Sequence, residues 1–407
     1  MQTVLITGSA SGIGRDTARL FAGAGWQCVL VDHNAPALQQ LGRSLPAPAS
    51  APHRLRAVDL TDPVQIASLG DDTPRLDAIL NNAGMSDASN TPLAEQDAAQ
   101  VARLLALNLA APAAVVDACG PLLKPGARIV NVASGAGLHA IPWRGAYSPS
   151  KAGLIAQSLA LAQARPDLCV TVLAPGFVRT ELVDGLIQAG RLKPEGALGK
   201  IPLGRMAAPE EMAQALYFLA SAGAAPLRGQ ILAVNGGSSV YGGSQPLPPA
   251  TLQPQPLDTP LQLEVCGGEG EAWQGVAPTA AAQPHYAACL DLSPLHCASA
   301  GVLQAVHAAA ARFAARHTQQ ASLTLLLPSA PPRRWQDAGD GAAARMLVST
   351  LACEWGSRAL RINALEVPGG VDPQTLHPLL RFVCGSAAQY LTGQTLVCGA
   401  DAPGTPR

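Results

Sequence analysis

The chain has 407 residues, and its 27 basic side chains nearly balance its 28 acidic ones, so no excess charge points to nucleic acid as a partner. Because 48% of the residues are hydrophobic and only 14% are charged, a sizeable core is expected and disorder throughout is excluded. No run of about 18 residues is apolar without Gly, Pro or charge, and the first predicted strand begins almost at Met1, so neither a membrane span nor a secretory signal is expected.

The nine cysteines are scattered along the chain, and no two of them have the spacing Cys-x-x-Cys. This pattern is typical of reduced, buried thiols in a cytoplasmic protein, and it predicts no metal site.

Residues 1–240 alternate short β-branched runs with longer helical stretches, which predicts an α/β fold with a doubly wound parallel sheet. The strands are predicted at 2–7, 27–32, 54–58, 76–81, 127–132, 169–173 and 230–234. Residues 242–257 are rich in Gly and Pro and lack periodicity, which predicts a semi-extended linker between a domain at 1–241 and a second one at 258–407.

The second domain repeats features of the first. Phe218 to Gln230 resembles Phe382 to Gln394 at an offset of 164 residues. The pair Pro175-Gly176 likewise matches Pro368-Gly369 at an offset of 193 residues, and Ser134 matches Ser329 at an offset of 195 residues. These matches predict a partial internal duplication, in which the second copy lacks 29 residues before its last helix.

A glycine-rich segment, Thr7 to Gly14, directly follows the first strand and opens a helix. Its glycines allow backbone N–H groups to approach a pyrophosphate at the helix N-terminus, although glycines also serve in a simple tight turn. Asp32 ends the next strand, 24 residues after Gly8. A carboxylate there accepts hydrogen bonds from ribose hydroxyls and repels a 2′-phosphate, which favours NAD over NADP. The alternative is that Asp32 only caps the following turn.

Tyr147 and Lys151 are four residues apart and therefore share one helix face. An ammonium beside a phenol stabilises the phenolate, so that the tyrosine can transfer a proton near neutral pH. Taken alone, such a pair is more typical of a solvated helix face.

Together these motifs occur in one order within 151 residues and resemble the short-chain dehydrogenase/reductase family over residues 1–241, which implies a Rossmann-like fold. The motifs are Thr7-Gly8 with Gly12 and Gly14, Asp32, Asn81-Asn82-Ala83-Gly84, Ser134 and Tyr147-x-x-x-Lys151. The resemblance extends to Pro175-Gly176, Thr180, Ile201 to Arg205 and Asn235-Gly236-Gly237.

The resemblance implies four catalytic residues. Tyr147 would be the general acid/base, and Lys151 would lower its pKa and hold the nicotinamide ribose. Ser134 would bind the substrate oxygen, and Asn108 would order a proton-relay water. Alternatively, Ser134 caps a strand end and Asn108 bonds its own helix.

The resemblance also implies the binding residues. The dinucleotide would contact Gly8, Ser11, Gly12, Ile13, Gly14, Asp32, Asp59, Leu60, Asn82, Ala83, Gly84, Tyr147, Lys151, Pro175, Gly176, Val178 and Thr180. The substrate pocket would contain Ser134, His139, Trp143, Leu182 and Leu186, beside Arg144. The apolar members of the stretch 181–200 favour an apolar substrate, or they are ordinary helix-packing positions, and the residues near 139–144 could equally be surface-loop side chains.

In the second copy the tyrosine and lysine positions fall on Gly339 and Ala343, and the glycine-rich candidate Cys266 to Glu271 is too short and carries two carboxylates. We therefore expect 258–407 to be a degenerate, catalytically inactive copy. Its helical stretches 295–317 and 339–357 resemble the helices through which the family forms dimers. They predict an intramolecular pseudo-dimer, the alternative being an independent appendage, and further homodimerisation stays open.

The sequence thus predicts a cytoplasmic, NAD-dependent oxidoreductase that interconverts a secondary alcohol and a ketone, with a small-molecule substrate and with neither a membrane nor a nucleic acid as partner. An NADPH-dependent ketoreductase of a biosynthetic pathway and a non-catalytic nucleotide-binding scaffold are the alternatives.

Overall fold

The structure is a computed structural model, and it describes most of the chain in two compact units. The described residues are 1–46, 51–87, 89, 91–188, 190, 193–268, 273, 275–276, 285–297, 301–329 and 338–399. The first unit comprises Met1–Leu192, Ala208–Ala222 and Arg228–Leu232, and the second comprises Lys193–Ala207, Gly223–Leu227 and Ala233–Arg407.

The first unit contains a seven-stranded parallel sheet with the strand order β3-β2-β1-β4-β5-β6-β7. Every residue of the central strands β1 and β2 is buried, as a sheet covered by helices on both faces requires. The predicted doubly wound parallel sheet is confirmed. The strands are β1 Thr3–Thr7, β2 Gln27–Asp32, β3 Arg54–Ala57, β4 Leu76–Asn81, β5 Leu123–Val132, β6 Cys169–Leu173 and β7 Ile231–Leu232.

Helices connect these strands, and several begin at side chains that cap them. Asp62 accepts hydrogen bonds from the backbone of Val64 and Gln65, and Pro63 occupies the first helical position, where it loses no hydrogen bond. The helices of this unit are α1 Gly12–Gly23, α2 Ala35–Ser44, α3 Pro63–Ala67, α4 Ala98–Leu105, α5 Ala111–Cys119, α6 Tyr147–Ala164, α7 Glu181–Gln188 and α9 Pro209–Leu219.

The strand order reverses at β1, which has β2 on one side and β4 on the other. Connections leave the ends of β1 and β4 in opposite directions, so a crevice opens at the carboxyl ends of these strands. The glycine-rich segment follows β1, and Asn82 follows β4. The fold therefore brings the two predicted motifs to the same crevice.

The helical run Ala98–Leu122 is the one described segment that is long and apolar enough to cross a membrane. Core helices of soluble proteins meet the same length and composition criteria. Val115 and Cys119 of this run belong to the buried core of the first sheet.

The second unit contains a five-stranded parallel sheet in which the strands follow one another in chain order. Its core packs Phe313 and Trp355 against the sheet. Among the described residues of this sheet the strand order does not reverse, so it has no crevice like the one beside β1. Its strands are β8 Leu261–Cys266, β9 Tyr286–Asp291, β10 Ala321–Pro328, β11 Leu360–Val367 and β12 Thr395–Val397, and its helices are α8 Pro194–Leu198, α10 Val302–Arg316, α11 Ala338–Trp355 and α12 Pro373–Cys384.

The segment 242–257 has no helix or strand, and it is held in the second unit by hydrogen bonds along its length. The backbone N–H groups of Leu247 and Ala250 donate to Gly199 and Gly204 at 2.8 and 3.0 Å. Thr251 donates to Ser357 at 3.0 Å. The domain boundaries assigned from the sequence stay a prediction.

Candidate active site

A cleft of about 480 Å³ lies at the carboxyl ends of β1, β2 and β4 in the first unit. Eleven of the residues predicted to bind the dinucleotide line it: Gly8, Ser11, Gly12, Ile13, Asp32, Asp59, Leu60, Asn82, Ala83, Gly84 and Thr180. The cleft is also lined by residues that the sequence did not indicate, among them His33, Arg103 and Glu181.

The glycine-rich segment forms one wall of the cleft, and its backbone requires glycine at particular positions. Gly8 and Gly12 have φ angles of 63° and 48°, in the left-handed region. A Cβ atom on Gly14 would lie 2.0 Å from the carbonyl oxygen of Gly8. Gly14 is therefore a packing residue that lets α1 approach the loop, and it does not line the cleft.

Asp32 places a buried carboxylate at the end of β2, with 6% of the residue exposed. Its two oxygens accept hydrogen bonds from the backbone N–H groups of Ala10 and Asn34, each at 2.9 Å. The ring of His33 lies 3.3 Å away. These bonds fix the carboxylate where a ribose diol in the cleft would meet it.

Glu181, the first residue of α7, reaches the glycine-rich segment. Its carboxylate accepts the N–H of Gly12 at 3.2 Å and pairs with the guanidinium of Arg15. The N–H of Gly12 belongs to the first turn of α1, where a helix favours negative charge. The carboxylate of Glu181 therefore occupies the N-terminus of α1, where the pyrophosphate of a dinucleotide would bind.

Tyr147, Ser134 and Lys151 meet beyond the end of β5. Ser134 lies close enough to Tyr147 to oppose the rise in the pKa of the tyrosine, and the Nζ atom of Lys151 lies 6.0 Å from the centre of the tyrosine ring. Lys151 is buried and donates to the carbonyl of Val132 at 2.9 Å. The first residues of α6 thus carry the predicted pair next to the sheet.

Burial acts on both titratable groups of this cluster. It raises the pKa of Tyr147, an effect that the hydrogen bond to Ser134 and the charge of Arg144 oppose. Burial lowers the pKa of Lys151 to about 8. Both shifts disfavour the charged forms: the pKa of Lys151 moves towards neutral pH, whereas the pKa of Tyr147 moves away from it, so burial by itself keeps the phenol protonated.

Asn108 lies in a π-helical turn, Ala106–Ala110, between α4 and α5. Such turns are frequent at functional sites. Its side chain is fully buried, accepts the N–H of Met85 at 2.9 Å and donates to Ser150 at 3.1 Å. A Cβ atom on Gly84 would lie 3.2 Å from Nζ of Lys151 and 3.3 Å from Oδ1 of Asn108. The side chains of Asn108 and Lys151 therefore both lie next to Gly84.

The remaining predicted residues lie around this centre. Pro175 accepts the N–H of Gly135 at 2.8 Å, and Val178 is buried beside the exposed Arg179. Gly176 is half-buried, and none of these three lines the cleft. His139 follows the turn that starts at Ser134.

The predicted substrate pocket is only partly described. Trp143 is 56% exposed, so it does not form a closed wall here. The side chains of Leu182 and Leu186 lie outside the described residues. The assignment of these residues to a substrate pocket stays a prediction.

A family model described as enoyl-(acyl carrier protein) reductase matches residues 8–239. The chain is 41% identical over 244 residues to an uncharacterized short-chain type dehydrogenase/reductase of Sinorhizobium fredii, covering 58% of this chain and 43% of that protein. It thus spans less than half the length of that relative.

Two further relatives are matched over nearly their whole length. The chain is 34% identical over 241 residues to a 3-oxoacyl-(acyl-carrier-protein) reductase of Rickettsia prowazekii, covering 58% of this chain and 96% of that protein. It is 35% identical over 250 residues to cis-4-hydroxycyclohexanecarboxylate dehydrogenase of Sinomonas cyclohexanicum, with the same two coverages of 58% and 96%.

Among solved structures, a putative NAD(P) dependent gluconate 5-dehydrogenase of Beutenbergia cavernae with bound NADP superposes with a TM-score of 0.52 at 28% identity, covering 59% of this chain and 97% of that one. The family match covers the cleft and the Ser134, Tyr147 and Lys151 cluster alike. The chain belongs to the short-chain dehydrogenase/reductase family and is an oxidoreductase that acts on CH–OH groups with NAD(P).

Proposed function

We propose that the protein is an NAD-dependent oxidoreductase that interconverts a secondary alcohol and a ketone, with Tyr147 as general acid/base. The observation that carries this proposal is the cluster in which Ser134 and the buried Lys151 both lie beside Tyr147, with Nζ of Lys151 6.0 Å from the centre of the tyrosine ring. A substrate oxygen placed at these two hydroxyls meets one donor and one proton acceptor.

The residues of the cleft fit a dinucleotide. The glycine-rich segment can hold its pyrophosphate, and Asp32 can hold its adenosine ribose. Bound NAD supplies the hydride acceptor, and this chain supplies the proton chemistry. In the oxidation, Tyr147 removes the hydroxyl proton while Ser134 holds the same oxygen. Lys151 stabilises the phenolate, and Asn108 and Lys151 pass the proton to solvent through an ordered water.

The choice of NAD rests on the charge of Asp32, which repels a 2′-phosphate. The second candidate is an NADPH-dependent ketoreductase, for which Arg103 in the same cleft is the specific observation, because a guanidinium there can pair with a 2′-phosphate. The 3-oxoacyl reductase and the NADP-bound relative support this reading. Comparing kcat/KM with NAD and with NADP distinguishes the two.

The test is NADH production from a panel of secondary alcohols and hydroxy acids by the wild type and by Tyr147→Phe. The phenylalanine variant should lose about 10²- to 10⁴-fold in kcat, the usual contribution of a positioned acid/base. NADH binding, followed by fluorescence, should persist. Unchanged turnover in a variant that still binds NADH would exclude Tyr147 as the acid/base. A scaffold without catalysis would show NADH binding and no turnover in the wild type.

We also propose that residues 258–407 are a degenerate second copy of the same fold. Equivalent hydrogen bonds support this: Gly229 donates to Val170, and Gly393 donates to Ile362, each at 2.8 Å. The described strands β8 to β12 follow one another in the sheet as β1, β4, β5, β6 and β7 do, with no described counterpart of β2 and β3. Helix α11 contains neither Tyr nor Lys, so the second copy has no acid/base pair.

The proposed equivalence of the two copies implies its own register. If Val170 corresponds to Ile362, the pairing of β10 with β11 makes Pro328 the counterpart of Ser134 and Ser329 the counterpart of Gly135. This register differs by one residue from the match of Ser134 with Ser329, because short motifs fix a register less strongly than strand pairing does.

The proposed pseudo-dimer is supported by contacts inside the second unit. Gly236 donates to the carbonyl of Tyr390, and Gly399 donates to that of Pro226, each at 2.9 Å. At the offset of 164 residues Pro226 corresponds to Tyr390, so the two bonds use corresponding acceptors. If the halves, cut within 242–257, separated on size exclusion, this proposal would fail.

Given its family and its reduced cysteines, we place the enzyme in the cytoplasm.

A further inference from the structure

Arg144 lies in the turn that leads into α6, three residues before Tyr147. The N–H of Tyr147 donates to the carbonyl of Arg144 at 3.1 Å. Its two neighbours, Trp143 and Gly145, both have left-handed backbones, with φ angles of 65° and 55°. Trp143 is 56% exposed, whereas Arg144 is half-buried. The turn therefore exposes the indole and partly buries the guanidinium.

The guanidinium of Arg144 is without a partner among the described residues. Its Nη1 atom exposes less than 1 Å² and makes no hydrogen bond there. Other arginines of the first unit have carboxylates: Arg15 pairs with Glu181, and Arg165 pairs with Asp167. A buried cationic N–H without an acceptor costs more than an ordinary hydrogen bond contributes, so an unpaired one at this place needs a reason.

One candidate counter-ion, Asp87, is already engaged. Asp87 packs against the same turn, where a Cβ atom on Gly145 would lie 3.0 Å from Cβ of Asp87. Its carboxylate accepts hydrogen bonds from Ser89, Gln96 and Gln100. Asp87 therefore holds its own loop together through these hydrogen bonds. No hydrogen bond from Nη1 of Arg144 to Asp87 is present among the described residues.

Arg144 also lies close enough to the reaction centre to affect it. After burial and the Ser134 hydrogen bond, its positive charge is the next influence on the pKa of Tyr147. A group bound to Arg144 is thus held beside the acid/base. A planar guanidinium with free N–H groups matches a carboxylate, which it can bind through two parallel hydrogen bonds.

We infer that Arg144 is a specificity-determining residue that binds a carboxylate of the substrate, so that the enzyme acts on hydroxy acids and oxo acids in preference to neutral alcohols. This inference rests on the proposed function and names its substrate class. It revises the expectation of a largely apolar substrate: the body of the molecule can be apolar, and one end is anionic.

Binding of a non-reactive acid tests this independently of turnover. We would titrate the NADH-loaded enzyme calorimetrically with cyclohexanecarboxylate and with its neutral amide, cyclohexanecarboxamide. The wild type should bind the carboxylate about ten-fold or more tightly than the amide, in line with a charge-assisted hydrogen-bond pair. Arg144→Gln should remove that preference, and Arg144→Lys should keep part of it. The control is Arg165→Gln, which removes an exposed arginine paired with Asp167.

Equal binding of acid and amide by the wild type, or an unchanged preference in Arg144→Gln, overturns the inference. A purely electrostatic role on Tyr147 has a different signature: Arg144→Gln would then shift the pH profile of neutral alcohols and of hydroxy acids alike. Failure of the proposed function is distinguishable as well, since it appears as absent turnover of every alcohol while the difference in carboxylate binding persists.

Discussion

The two parallel sheets differ in the order of their strands. In the first, β2 and β3 lie beyond β1, so the strand order reverses and a crevice opens where Gly8 and Asn82 meet. In the second, β8 is directly followed by β9, and the described residues contain no reversal. The comparison shows that a parallel sheet packs with or without such a reversal, and that the cleft of this protein lies where the strand order reverses.

The two regions also treat a buried cation differently. Arg361 in the second unit is 1% exposed, and it donates to the hydroxyl of Tyr286 and to five carbonyl groups. Lys151 in the first unit is 3% exposed and has one acceptor among the described residues, the carbonyl of Val132. Arg361 uses its N–H groups to fix the surrounding loops. Lys151 has N–H groups left over, which can donate hydrogen bonds to a ligand.

The strongest test of this comparison is an attempt to restore the missing pair. We expect Gly339→Tyr with Ala343→Lys, introduced into Tyr147→Phe, to leave the about 10²- to 10⁴-fold loss of kcat unrepaired, because the described strands of the second sheet show no reversal of order. A Cβ atom on Gly339 meets no other atom within 4 Å, so the first atom of the new side chain is accommodated. Steady-state assays check this, with circular dichroism to verify folding. Recovered activity would show that the side chains alone were missing.

The second prediction concerns the cost of burying Lys151. Its pKa of about 8 in the folded protein is below the ordinary 10.5, so between these values the unfolded chain binds more protons. Raising the pH through that window therefore stabilises the wild type, by on the order of 2 kcal/mol for a buried amine. Urea unfolding at pH 7.5 and at pH 10 should show this gain relative to Lys151→Met.

Lys124→Met provides the matched control, because Lys124 is half-exposed and pairs with Asp77 at 2.7 Å. Its difference from the wild type should not grow with pH in the same window. If the stability difference between Lys151→Met and the wild type were instead the same at pH 7.5 and at pH 10, the lysine would be more hydrated than its burial indicates.

The elements of the first unit could be predicted because buried parallel strands are short β-branched runs with clear ends. The exception is β5, which was expected from 127 and begins at Leu123. Pro125 and Gly126 concealed its first part, and the pairing with β4 shifts register there. Pro and Gly are read as strand breakers, yet a strand with an irregular register accommodates both.

The catalytic residues and the glycine-rich wall were predictable because they occur as short motifs. Glu181 was not, although it follows Thr180 directly, because its bond to Gly12 joins residues 169 positions apart. Arg103 reaches the cleft from α4 without any local signal. Contacts between residues far apart in the sequence depend on the packing of the folded chain, which a short sequence motif does not reveal.

The third prediction sharpens the role of Asp32. Asp32→Asn keeps an acceptor for one of the N–H groups of Ala10 and Asn34, which bond different carboxylate oxygens, and removes the charge that repels a 2′-phosphate. The ratio of kcat/KM for NAD over NADP should fall about ten-fold or more, the worth of one hydrogen bond to a charged group. An unchanged ratio would assign the cofactor preference to another residue, of which Arg103 is the first to test.

The smallest expected effect is on Glu181, whose carboxylate occupies the N–H of Gly12. A dinucleotide must displace this carboxylate before its pyrophosphate reaches the first turn of α1. Glu181→Gln removes the negative charge from the helix N-terminus, so NADH should bind roughly two- to five-fold more tightly, matching the energy of one charge near a helix end. The control is Asp184→Asn on the same helix, whose partner is Arg179. Fluorescence titration with NADH measures both variants, and weaker binding to Glu181→Gln would mean that Glu181 orients Arg15 for the cofactor instead of competing with it.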